Sequence, residues 1–115
     1  MDETTRHWSF SKKAELILKS IPKGRIISYG AVAALAGSPG AARRVVQILH
    51  KIENIPWHRV VSSRGTIAIK DPAGFEEQKI LLTMEGILSD SRGKIDLEKY
   101  RWNIHSIEEI TDTDK

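Results

Sequence analysis

Apolar residues recur at helical spacing from Phe10 through Ala14, Ile17, Leu18 and Ile21, with Lys12, Lys13, Glu15 and Lys19 on the other faces. The pattern predicts a first helix with Ser9 as its N-cap. Pro22-Lys23-Gly24 stops it, because proline cannot continue a helix and glycine supplies a left-handed turn. The short Arg25-Ile26-Ile27 run reads as extended and ends on Ser28, the N-cap of a second helix that runs through Tyr29 to Ala36 and closes at Gly37. Ser38-Pro39 then reads as N-cap and first position of a third helix, Gly40 to about Lys51, with Val45, Ile48, Leu49 and Ile52 at core spacing. Two short helices joined by a tight glycine-containing turn are a helix-turn-helix pattern.

Periodicity changes in the second half. Ile55-Pro56-Trp57-His58-Arg59-Val60-Val61 places a proline, an indole, an imidazole and a guanidinium in consecutive positions before β-branched residues that read as a strand. Two readings fit: a proline-led turn with Trp57 filling core, or a wall of a small-molecule or base pocket, where apolar and polar groups alternate. Val60-Val61 and Thr66-Ile67-Ala68-Ile69 flank Ser62-Ser63-Arg64-Gly65, a hairpin signal. Asp71-Pro72 opens a helix in which Phe75, Leu81, Leu82 and Met84 offer apolar contacts and Gly86 is the stop. Ile87-Leu88 and Lys94 to Leu97 bracket a second hairpin turn, placed as the wing of a winged helix would be. Tyr100 and Trp102 are expected to pack back on the core. The organisation expected is an N-terminal extension (1–8), one domain (9–102) and an acidic tail (103–115), without function, in which Ile104, Ile107 and Ile110 offer a helical stripe.

Composition narrows the function. A chain of 115 residues supports one domain with a modest core. No apolar run reaches transmembrane length and the first residues are acidic, so a soluble, cytoplasmic protein without membrane contact is expected. There is no cysteine, hence no disulfide, thiolate ligand or thiol nucleophile. His7, His50, His58 and His105 are scattered without carboxylates at ligand spacing, so neither a metal nor another cofactor is expected. The net charge of +3 hides an asymmetry: residues 1–70 hold 12 Lys and Arg against 4 Asp and Glu, and residues 71–115 hold 6 against 11. A basic first half containing a helix-turn-helix points to nucleic acid. Ala41, Ala42, Arg43 and Arg44 open the third helix with small residues that permit close approach to DNA and two guanidiniums for phosphate. Ser62 and Ser63 near His58 also admit a Ser/His hydrolase, a weaker reading because serines in a hairpin turn are usually loop residues.

Three stretches in order, Ser28-Tyr29-Gly30-Ala31-Val32-Ala33, Ser38-Pro39-Gly40-Ala41-Ala42-Arg43 and Pro56-Trp57-His58-Arg59-Val60-Val61, resemble the DNA-binding, active-site domain of O6-alkylguanine-DNA alkyltransferases. That family carries Pro-Cys-His-Arg-Val at the third stretch, and Glu85-Gly86 falls where it ends its next helix. The likeness spans about Ser9 to Trp102. It implies a mostly helical α/β winged helix-turn-helix like the C-terminal domain of those enzymes. Trp57 stands where the family has its nucleophilic cysteine, which places the chain with alkyltransferase-like proteins that bind alkylated guanine without repairing it. Val46, where the family usually has glycine, and the short segment between Leu49 and Ile55 are smaller departures.

The resemblance implies roles residue by residue. Ser28, Tyr29, Ala41, Ala42, Arg43 and Arg44 would contact duplex DNA through the minor groove, Tyr29 rotating the target nucleotide outward and Arg43 filling its place. Tyr29, Pro56, Trp57, Val60 and Lys70 would build the alkylguanine pocket, while His58, Arg59 and Glu85 would remain as structural hydrogen-bonding groups. The implied function is a non-enzymatic sensor that flips O6-alkylguanine and flags it for nucleotide excision repair proteins. A winged-helix transcription regulator and a lesion-shielding inhibitor of alkyltransferase are the alternatives.

Overall fold

The computed structural model describes residues 5 and 7–111. Residues 1–4, 6 and 112–115, parts of the expected extension and tail, lie outside them. Helix α1 is Phe10–Lys19, and the Ser9 hydroxyl caps it by accepting the Lys12 N–H at 3.1 Å. Its apolar stripe, Ala14, Ile17 and Leu18, is fully buried. Strand β1, Ile27–Ser28, leads directly into helix α2, Tyr29–Leu35, with the Ser28 oxygen accepting the Ala31 N–H at 3.1 Å.

The third helix starts later than its sequence suggests. Helix α3 is Ala42–Lys51, and Ser38 belongs to the end of α2 instead: its N–H donates to the Ala33 carbonyl and that of Gly37 to Ala34, both at 3.0 Å. This pair of bonds satisfies the last carbonyls of α2, and Gly37 has the left-handed φ of +96° that such a stop requires. Gly40, at φ +93°, then turns the chain in a conformation no right-handed helix accommodates, so α3 cannot include it.

A short 3₁₀ turn, Trp57–Arg59, feeds strand β2, Val60–Val61. The hairpin expected here forms only its turn, closed by Ser62 N–H to the Thr66 carbonyl at 2.9 Å. Strand β2 pairs in parallel with β1, Ile27 opposite Val60 and Ser28 opposite Val61. Thr66 instead bridges antiparallel to Lys94, and Ser89 bridges Ile95, so the two predicted turns are joined in one small wing. Helix α4, Pro72–Met84, has Asp71 as its cap, accepting the Gly74 N–H at 2.9 Å. Leu82 is buried and Phe75 packs on its neighbours, but Met84 is 75 % exposed and does not join the core.

Alternation along the strands places the small sheet between two apolar clusters. Ile27 and Val60 face a core made by α1, α2 and α3, while Ile26 and Val61 face a second one with Ile67, Leu82, Ile87 and Ile95. A short helix α5, Leu97–Tyr100, precedes Arg101, which bridges Ile26 in parallel. Tyr100 packs on the second core and Trp102 on the first. Packing continues past Trp102: Ile107 is buried in the first core, with Ile104 and Ile110 against it, and a last helix α6, Glu108–Thr111, follows. Among the described residues no helix is long and apolar enough to cross a membrane.

Candidate nucleic-acid interface

Pro56 enters the 3₁₀ turn, and the Arg59 N–H closes it on the Pro56 carbonyl at 3.0 Å. Trp57 is half-buried and belongs to neither apolar cluster, so it does not fill the core. Its ring meets the edge of His58, centroids 6.2 Å apart and planes at 87°. Beneath it, His58 Nε2 lies 2.6 Å from Glu85 Oε2, and Arg59 grips the same carboxylate through Nε at 3.0 and 3.1 Å and through NH2 at 2.7 Å. The other guanidinium nitrogen donates to the Ile21 carbonyl at 2.7 Å, and the Gly24 N–H donates to Glu85 Oε1 at 2.9 Å. The turn is thereby tied to the end of α1 and the end of α4. Burial alone would raise the Glu85 pKa, but the bonds from Arg59, Gly24 and His58 outweigh it and hold the carboxyl at about 2.

Gln78, which sequence reasoning missed, completes the support. It is 1 % exposed, and its Nε2 donates to the carbonyls of His58 at 2.9 Å and Val60 at 3.0 Å. A lone glutamine among the charged residues of a helix gives no sign of this in the sequence. The same bond bears on Val60: its side chain is fully buried in the first core, leaving only backbone for a pocket, and its carbonyl already accepts from Gln78. Lys70 is exposed in the loop before Asp71, and Pro56 is half-buried.

On the helix-turn-helix side, Ser28 spends its oxygen on the cap of α2, and Tyr29 packs partly buried on the first core, which raises its hydroxyl pKa. Ala41 and Ala42 are half-buried at the start of α3. Arg43 is exposed, with no hydrogen bond or ion pair among the described residues. Arg44 is exposed too, but its guanidinium lies 4.2 Å over the Phe10 ring. The paired strands join the two sides, since β1 runs into Tyr29 and β2 continues from the Trp57 turn. A cavity of about 700 Å³ between α2 and residues 101–108 contains Ser28 but none of the expected pocket residues.

Chemically this arrangement holds a flat aromatic surface, a basic helix start and no soft nucleophile. The Ser62 hydroxyl, half of the hydrolase alternative, lies 2.6 Å from Thr66 Oγ1 within its own turn, while the His58 Nε2 faces Glu85. Among the described residues no group of three or more His, Asp or Glu is placed to hold a metal ion.

Comparison with known proteins gives a consistent set. Residues 9–87 match the family model of the 6-O-methylguanine DNA methyltransferase DNA-binding domain. The DNA base-flipping protein of Escherichia coli K12 is 43% identical over 98 residues, covering 83% of this chain and 75% of that protein. Alkyltransferase-like protein 1 of Schizosaccharomyces pombe is 43% identical over 90 residues, covering 71% and 83%. Among solved structures, S. pombe Atl1 in complex with damaged DNA containing O6-carboxymethylguanine superposes with a TM-score of 0.72 at 37% identity, covering 83% of this chain and 95% of that one.

Proposed function

This chain belongs to the family of the 6-O-methylguanine DNA methyltransferase DNA-binding domain, and we propose that it is a non-enzymatic sensor of O6-alkylguanine in duplex DNA. The observation that carries the proposal is Trp57: an indole in the turn between Pro56 and His58, outside both cores, in a chain without cysteine. Moving an alkyl group from a guanine oxygen to protein needs a soft nucleophile that ionises near neutral pH. An indole offers none, yet its face suits an apolar adduct.

In this reading Ala41 and Ala42 let α3 approach the minor groove, with Ser28 and Arg44 at the backbone. Tyr29 turns the nucleotide out and Arg43, unpaired among the described residues, takes the vacated place. Flipping costs a few kcal/mol, less for a weakly paired damaged base, so a wedge and a pocket together favour lesions. Pro56, Trp57 and Lys70 surround the flipped base, and Val60 contributes backbone. His58, Arg59 and Glu85 hold the turn rigid. Recognition without repair leaves the site to another system, and the proposed recipients are nucleotide excision repair proteins, met on cytoplasmic or nucleoid DNA.

The test is binding to matched duplexes with and without O6-methylguanine. Tighter binding to the lesion is expected, weakened in Arg43→Ala and Tyr29→Phe, with the methyl group still on the DNA after prolonged incubation. Equal affinity for the two duplexes contradicts the sensor and favours a transcription regulator; loss of the methyl group reveals an enzyme.

A further inference from the structure

Beside the start of α3 lies a groove of about 350 Å³ between α1 and α3, lined by Ser11, Arg44, Gln47, Ile48, Lys51 and Ile52. Arg44, Gln47, Ile48 and Lys51 share one face of α3, as positions three, four and seven apart must. Ile48 is 9 % exposed and forms the floor. Ser11 is exposed on α1. Among the described residues no carboxylate lines the groove.

The Arg44 guanidinium rests 4.2 Å over Phe10. A ring attracts a cation through its quadrupole but does not neutralise it. No ion pair forms at Arg44 or Lys51 among the described residues, whereas Lys19, further along α1, meets Glu15 at 2.8 Å. The Arg44 side chain is thereby held in place while its positive field, with that of Lys51, is left for an outside anion. Arg44 and Lys51 are seven positions apart, roughly 10 Å along the helix axis, so the charge extends as a track away from the helix start.

We propose that this groove is a second contact site for DNA backbone phosphates, formed by Arg44 and Lys51, which lengthens the footprint beyond the wedge at Arg43. It rests on duplex binding by this chain and not on lesion recognition, because phosphate contacts carry no base information. Each phosphate neutralised adds about 0.9 to the slope of log affinity against log salt.

The experiment compares the parent with Lys51→Gln on damaged and undamaged duplexes across a series of NaCl concentrations. The slope is expected to fall by roughly 0.9 for one lost phosphate contact, with the ratio of damaged to undamaged affinity unchanged. Lys51→Arg should keep the parent slope. Lys99→Gln, whose ammonium lies 5.3 Å over Tyr100 in the acidic half, is the control and should keep it. A Lys51→Gln variant with the parent slope overturns the proposal, as does an equal fall in the Lys99 control. If the slope falls while the parent shows no lesion preference, the groove stands and the sensor reading fails. A parent that binds neither duplex overturns both.

Discussion

Glu85 shows how much one side chain can carry. Its carboxylate gathers the Gly24 N–H, the Arg59 guanidinium and the His58 ring, and its side chain is 9% exposed. A folded-state pKa of about 2, against an ordinary 4.5, means the group is bound more tightly as an anion in the folded protein. Its contribution is complete above pH 4.5 and is lost as the pH falls toward 2. Urea unfolding at a series of pH values should therefore show the parent weakening through that window, while Glu85→Gln, already weaker by about 2–3 kcal/mol at neutral pH for its charge-assisted bonds, has a flatter profile. Parallel profiles would mean that another carboxylate sets the acid response. The resemblance at Pro56 to Val61 and at Glu85-Gly86 pointed to His58, Arg59 and Glu85 in the sequence. Gly24 and Gln78 were not, because a backbone N–H and a solitary amide acquire their roles only from distant segments that folding brings to them.

At the scale of elements, helix starts were readable at three of the four expected caps, Ser38 being the exception, and strands were readable as extended segments but not in their pairing. Ser9, Ser28 and Asp71 each cap a helix as their positions suggest, because the signal and its effect lie within four residues. The parallel pairing of β1 and β2 joins segments with two helices between them, and nothing local in either records its partner. The wing repeats the lesson at Gly65. The glycine expected to serve its own turn also lies under the neighbouring strand: its φ is +80°, and a Cβ there would sit 2.9 Å from the Ile95 carbonyl and 2.8 Å from the Leu97 side chain. Gly65→Ala meets a backbone oxygen that cannot give way and a φ that L-residues avoid, costs of about 1–3 kcal/mol for the dihedral alone. Thermal unfolding should show a fall of several degrees, and an unchanged midpoint would show that the wing yields without loss.

The whole molecule has its basic charge in the part that holds α1, α2 and α3, and its acidic charge in the part that holds α4 and the C-terminal segments. Taken as charge alone, residues 103–115 are a solvated acidic tail, but the apolar stripe within them has a partner. Ile107 is 2% exposed in the core that α1, α2 and α3 share, and Ile104 and Ile110 pack against it with Trp102. The segment reaches that core because Ile26 holds the preceding chain on both sides, accepting from the Trp102 N–H at 2.8 Å and donating to the Tyr100 carbonyl at 2.9 Å. A stripe of isoleucines could equally have stayed on a free helix; its burial depends on this anchoring to an edge of the sheet, which the sequence does not encode locally. Ile107→Ala, which leaves a cavity in the core beneath the helix-turn-helix, should therefore cost about 2–4 kcal/mol. Removing residues 103–115 should cost at least as much, although it also removes more acidic than basic charge and on electrostatic grounds alone would favour DNA. The two variants separate the roles. If the segment is structural, urea unfolding shows a similar loss for both and undamaged duplex is bound no better per folded molecule by the point variant; if it were only a charged tail, truncation would raise DNA affinity with stability unchanged and Ile107→Ala would alter neither.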